Sequence, residues 1–205
     1  NKIPYIKLPE THIQPRLALG YSIIALAKFI NDGELLSELY ELSGVIKPIE
    51  YEYPGKELAN SLKAKVPIIY SSTPNGHIAY IWKIKFNETA KIPAFCNVFP
   101  ELNHNEMTGF DIIPATEELS KNFHFIFLKD PNDLEQIQKR MKICAKLYRE
   151  RGFGVAELIF QGKSVLEKIF NSLLLADWTA LYVSKMYGIE AEEVPMVEEF
   201  KGLIR

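Results

Sequence analysis

Seven residues, Pro100-Glu101-Leu102-Asn103-His104-Asn105-Glu106, put an imidazole and two carboxylates directly after the apolar, strand-like stretch 93–99. Sixteen residues before His104 stands Glu88, in Phe86-Asn87-Glu88-Thr89-Ala90-Lys91. A carboxylate and a histidine brought to a common cleft can move protons between neighbouring atoms of a bound substrate. Polar clusters at the carboxyl end of a strand are also where α/β proteins keep their ligands. A third constellation, Ser71-Ser72-Thr73-Pro74-Asn75-Gly76, is a hydroxyl-rich turn between a strand and a helix. That arrangement can cradle an anion, although turn and N-cap chemistry accounts for it equally and is the reading favoured here.

Blander readings exist for the acid–base residues too. Most glutamates are solvated, and Glu88 has a lysine, Lys91, three residues on. A loop histidine commonly bonds its own backbone. Glu106 fits either of two roles: orienting His104 by accepting its second N–H, or capping the local turn, with the capping role ahead. His104, Glu106, Cys96 and His124 have no recognised metal-ligand spacing, so a metal is not expected.

The elements that must hold these side chains follow from hydrophobic periodicity. A helix is expected from Pro15 to about Ile30, a second over 34–42, a loop over 48–54 and a short helix over 56–63. From Val66 the pattern alternates. Strands are expected at 66–70, 93–98, 123–128 and 154–160, with helices at about 77–90, 131–149 and 163–187. Asp177 falls on the apolar stripe of the last helix, which suggests a structural hydrogen-bonding role. Alternating strands and helices imply an α/β fold, a parallel sheet flanked by helices, with a helical N-terminal lead-in.

With 47% hydrophobic and 24% charged residues, 205 in all, the chain has the make-up of a globular domain with a sizeable core. A formal net charge of −2 and the absence of a basic block argue against nucleic acid as a partner. No apolar stretch approaches a membrane span. The two cysteines, Cys96 and Cys144, read as small buried hydrophobes in a reducing compartment, so a cytoplasmic protein is expected.

The string Glu101-Leu102-Asn103-His104-Asn105-Glu106, preceded by Trp82-Lys83 and Asn87-Glu88-Thr89-Ala90-Lys91, resembles the bifunctional phosphoglucose/phosphomannose isomerases of the sugar isomerase (SIS) superfamily. Pro15-Arg16-Leu17-Ala18-Leu19-Gly20-Tyr21, Asp177 and the terminal Phe200-Lys201-Gly202-Leu203 fall where that family has similar residues. The resemblance implies an SIS-type three-layer sandwich over 56–205, with 1–55 as linker and lead-in after an N-terminal SIS domain. It implies cofactor-free aldose–ketose isomerisation of hexose 6-phosphates through a cis-enediolate, in glycolysis and gluconeogenesis, by a homodimer with a shared site. Glu88 would be the base, Arg16 the cation beside substrate and enediolate, and His104 of a neighbouring subunit the ring-opening group, helped by Lys201. Ser71 and Ser72 remain candidates for binding substrate. Where the family often carries a Thr-Pro pair before the terminal lysine, this chain has Val194-Pro195, which puts mannose 6-phosphate in doubt. The rival expectation is a non-catalytic sugar-phosphate-binding SIS module or an inactive fragment.

Overall fold

The computed structural model describes residues 3–205. Four strands, β1 (Val66–Ser72), β2 (Phe95–Phe99), β3 (Phe123–Lys129) and β4 (Gly154–Ile159), form one parallel sheet in the order β2-β1-β3-β4. Tyr70 stands beside Asn97 of β2 and Phe127 of β3, which fixes the register across the centre. β1 and β3 are buried along almost their whole length because helices cover both faces of the sheet.

The pleat divides the apolar residues between two cores. Ile69, Ile126 and Leu128 pack with α3 (Glu52–Ser61), α4 (Gly76–Lys85) and α8 (Val165–Met186) on one face. Ile68, Tyr70, Phe125 and Phe127 pack on the other against α7 (Glu135–Glu150), with Leu102 from the segment after β2. A small third cluster joins α1 (Leu19–Phe29) and α2 (Gly33–Val45) to Leu166 and Phe170 of α8, so the lead-in docks on the sandwich. Short helices α5 (Glu106–Gly109) and α6 (Glu117–Ser120) fill the link to β3, and α9 (Pro195–Leu203) ends the chain with no buried residue.

Several boundaries differ from the periodicity reading. The expected loop at 48–54 is a 3₁₀ turn, Pro48–Tyr51, running into α3. Pro54 lies in that helix's first turn, where its missing N–H costs no bond. The helix expected to start at Pro15 is interrupted at Ala18, between a 3₁₀ turn, Pro15–Leu17, and α1. The helix expected over 77–90 changes character at Phe86, where a π-helical segment, Phe86–Ala90, follows α4. Lys91 closes it in the left-handed region, its N–H donating to the Phe86 carbonyl. Such widened turns shift the phase of the side chains and recur at functional sites.

Candidate active site

The π segment delivers Glu88 and Thr89 together. Thr89 is buried, whereas the Glu88 side chain keeps 42% exposure. Arg16, brought from 72 residues away by the 3₁₀ turn, lays its guanidinium against both. Nε donates to Thr89 Oγ1 at 3.0 Å and Nη1 to Glu88 Oε2 at 3.4 Å. Nη2 donates to the carbonyls of Ala191 (2.7 Å) and Glu192 (3.0 Å), in the tail between α8 and α9. The guanidinium is thus almost wholly buried and held between two parts of the chain, the π segment and the tail.

Lys91 completes this clasp. Its ammonium donates to the Glu88 carbonyl at 3.0 Å and the Ala191 carbonyl at 3.1 Å, leaving the Glu88 carboxylate to Arg16. Burial and the neighbouring Arg16 cation push the Lys91 ammonium below its usual range. A cleft of about 500 Å³ opens beside Glu88 and Lys91 and is closed by Val194, Pro195, Met196 and Val197 at the start of α9. Against the far side of Arg16 lies a second cavity, of about 370 Å³, with Thr89, Asp177, Trp178 and Leu181 in its wall.

Behind Arg16, Lys85 is buried and ion-paired with Asp177, and it also donates to the Arg16 carbonyl at 3.3 Å. Burial pushes the Asp177 carboxyl up, against the pull of Lys85. Asp177 therefore holds α8 to α4 beneath the site, the structural placement its position on an apolar stripe suggested.

The structure brings Glu88 and Arg16 together and places the other candidates elsewhere. His104 follows the 3₁₀ turn Glu101–Asn103 at the carboxyl end of β2, whereas Glu88 precedes β2's amino end. A strand of five residues alone separates those ends by roughly 17 Å, so one chain does not place both in a common cleft. The imidazole is exposed. Ser71 and Ser72 also sit at the carboxyl ends of the strands and are buried. Ser71 Oγ donates to the Ser72 carbonyl, and Ser72 Oγ accepts from Asn75 Nδ2 at 3.0 Å, so neither hydroxyl shares the Arg16 site. Neither caps a helix with its side chain: Ser72 precedes the turn Thr73–Asn75 but accepts none of its backbone N–H groups.

Lys201 pairs with Glu198 at 2.7 Å on the exposed side of α9, a turn beyond the residues that line the cleft. Glu106 does not touch His104. Its two oxygens accept from Tyr70 Oη and, at 2.5 Å, from Asn97 Nδ2, and the cap of α5 is Asn105 instead. His104, Glu106, Cys96 and His124 do not gather; among the described residues no group of three or more His, Cys, Asp or Glu could hold a metal ion. Cys96 and Cys144 are free, and burial pushes both thiols up, Cys144 to about 11.

Periodicity missed Thr89, Lys91 and the carbonyls of Ala191 and Glu192. Thr89 is next to Glu88, and a regular helix turns neighbours onto different faces; Lys91, three residues on, read as a surface partner of the Glu88 carboxylate, not of its carbonyl. Backbone acceptors in a tail leave no trace in residue type.

A parallel sheet between two helical layers, with a carboxylate that pairs with a buried guanidinium beside a cleft, defines an α/β three-layer domain of the SIS type. A glucose-6-phosphate isomerase like protein from Thermus thermophilus shares that fold, with a TM-score of 0.63 at 16% identity over 85% of this chain and 61% of that one. The chain belongs to the family described as bacterial phospho-glucose isomerase C-terminal SIS domain, whose model matches residues 52–204. It is 29% identical to a bifunctional phosphoglucose/phosphomannose isomerase of Aquifex aeolicus, over 92% of this chain and 58% of that protein. A protein of the same name from Caldicellulosiruptor bescii is 32% identical over 93% of this chain and 59% of its own length. The chain thus spans about three fifths of the curated relatives it matches.

Proposed function

We propose that this chain carries the proton-transfer machinery of an aldose–ketose isomerase that interconverts fructose 6-phosphate and glucose 6-phosphate. The observation that carries this reading is the Arg16–Glu88 contact, 3.4 Å long, with Glu88 lining a cleft large enough for an open-chain hexose. Glu88 takes the proton from C2 of the open-chain aldose. The C–H electron pair becomes the C1–C2 double bond, and the carbonyl electrons pass to O1. A proton passes from O2 to O1, the O2 electrons form the C2 carbonyl, and the C1–C2 double-bond pair takes the proton back from Glu88 at C1. Arg16 stays protonated throughout and stands beside the oxygens that carry the enediolate charge.

His104, exposed at the other end of β2, serves the site of a second copy and shuttles the proton that opens the sugar ring. The working unit is therefore a homodimer with shared sites. Lys201 assists ring opening once α9 folds over the cleft. The SIS domain is 56–205, with 1–55 as the linker and lead-in that brings Arg16 to it; the family match from residue 52 supports that reading. Val194 lines the cleft wall; standing where the family often carries threonine, it favours the glucose over the mannose epimer. Two free thiols, Cys144 buried and Cys96 half-buried, fit work in the cytoplasm, on the flux between glycolysis and gluconeogenesis.

Glu88→Gln in the full-length gene product tests the reading. Loss of a positioned base should lower kcat by ~10²–10⁴-fold, while calorimetry finds fructose 6-phosphate bound as tightly as before. A near-normal rate in the variant overturns Glu88 as the base. Binding of the phosphosugar by the unaltered protein without any aldose formed assigns a sugar-phosphate-binding module instead.

A further inference from the structure

We propose that Glu106 is a positioning residue for His104, acting through Tyr70 and Asn97; the proposal rests on the reading of His104 as the ring-opening group. His104 lies between two anchors. Leu102 is fully buried in the second core, and the Glu106 carboxylate turns back onto the sheet. In between, the His104 N–H donates to the Glu101 carbonyl at 2.9 Å, and the imidazole projects outward.

The donors that hold Glu106 are themselves immobile. Tyr70 is fully buried, its ring in edge or tilted contact with Phe99, Phe125 and Phe127 at 5.9, 5.4 and 5.4 Å. Burial pushes its phenol far above the usual range, so it keeps its proton and donates. Asn97 Oδ1 accepts the Val98 N–H at 2.8 Å, which turns the amide so that Nδ2 faces Glu106. Each Glu106 oxygen thus has its own fixed donor, one from β1 and one from β2.

A carboxylate set against an aromatic core must be desolvated, and apolar side chains would tie the segment down at less cost. What a two-donor clamp adds is a single defined geometry. That matters here because the segment carries a proton-transfer group to another copy, where an ångström of misplacement costs rate. Glu106 acts through the backbone from 104 to 106, not on the imidazole directly.

The test uses the full-length protein and four variants. Glu106→Gln sets an amide N–H against the Asn97 or Tyr70 donor; kcat on cyclic fructose 6-phosphate should fall by about 10- to 100-fold, with KM nearly unchanged. Asn97→Asp combined with Glu106→Gln restores complementarity: one Asp oxygen still accepts from Val98, the other from the glutamine. This double variant should recover most of the lost kcat. In a His104→Ala background, Glu106→Gln should cost nothing more. If Glu106→Gln fails to fold, Tyr70→Phe, which removes one donor and keeps the ring, takes its place in the same comparisons.

Full turnover in Glu106→Gln while His104→Ala is impaired overturns the proposal and leaves His104 standing. An equal loss with and without His104, or no rescue by the folded double variant, also overturns it by showing a general packing effect. Unchanged turnover in His104→Ala removes the ring-opening reading itself, and the positioning role with it.

Discussion

At the scale of the residue, Arg16 is defined by how few donors it has to spare. A guanidinium carries five N–H groups, and Thr89, Glu88, Ala191 and Glu192 engage four of them. The fifth is on Nη1, the nitrogen that faces Glu88. Lysine could not replace this fork, having one nitrogen where Arg16 uses three. Arg16→Lys should therefore lower kcat by roughly 10²-fold, in the range of other lost charge-stabilising donors. It should also speed amide hydrogen exchange over 189–205, because the Ala191 and Glu192 carbonyls lose their tie. Steady-state kinetics and exchange mass spectrometry check the two effects separately. Unchanged exchange in the tail would show that Lys91 alone holds it.

At the scale of the element, the site depends on how closely α3, α4 and α8 approach. Gly55 of α3 meets α8 where an added Cβ would lie 2.5 Å from Trp178 Cβ and 3.0 Å from the Thr179 nitrogen. Helix backbones cannot yield there without displacing Trp178, whose indole N–H donates to the Pro48 carbonyl at 2.8 Å. Gly55→Ala should cost about 1–3 kcal/mol of stability, as overpacking typically does, read as a shift in the urea midpoint. α4 is tied to α8 more deeply by the buried Trp82 Nε1 to Ser172 Oγ bond at 3.0 Å and by the Lys85–Asp177 pair. These ties orient the π segment, and through it Glu88. The helix macrodipole and amphipathic stripe would be much the same without them.

At the scale of the whole molecule, the sheet separates two kinds of chemistry. Its amino end holds Glu88, and its carboxyl end holds His104. Among the described residues no helix is long and apolar enough to cross a membrane. Stability as a function of pH is a property of the whole chain, and His124 gives it a marked acid limb. This side chain of β3 is buried, its Nε2 lacks a partner, and Gly154 of β4 leaves room for it. Burial, with Lys65 nearby, lowers its pKa to about 4. The unfolded chain then takes up a proton near pH 6.5 that the folded chain refuses until about pH 4. Stability is thus complete above pH 6.5 and lost as pH falls toward 4. Between pH 7 and 4.5 this one group should remove about 2–3 kcal/mol. Urea unfolding of the unaltered protein and of His124→Phe at both pH values should show a loss smaller by that amount in the variant. Equal losses would acquit His124.

The amino-acid sequence by itself determined the four strands, the long helices and the pairing of an acid with an imidazole as candidates. Those features are local: a run such as Val66–Tyr70 is apolar enough to need cover on both faces, and α8 repeats its apolar residues at helical spacing. Glu88 was legible because its flanking residues form a recognisable string. Only the tertiary structure decided that Arg16 reaches Glu88 and that His104 and the buried Ser71 and Ser72 stand at the opposite end of the sheet. It also decided that Lys201 binds Glu198 and that Glu106 answers to Tyr70 and Asn97. Each of those facts depends on the length and direction of elements that intervene between the residues. α4 and its π segment run antiparallel to β1 and carry Glu88 from one end of the sheet to the other. β2 runs back and leaves His104 where α4 began. Residue spacing along a chain records none of that reversal, because distance in space is set by how the elements pack.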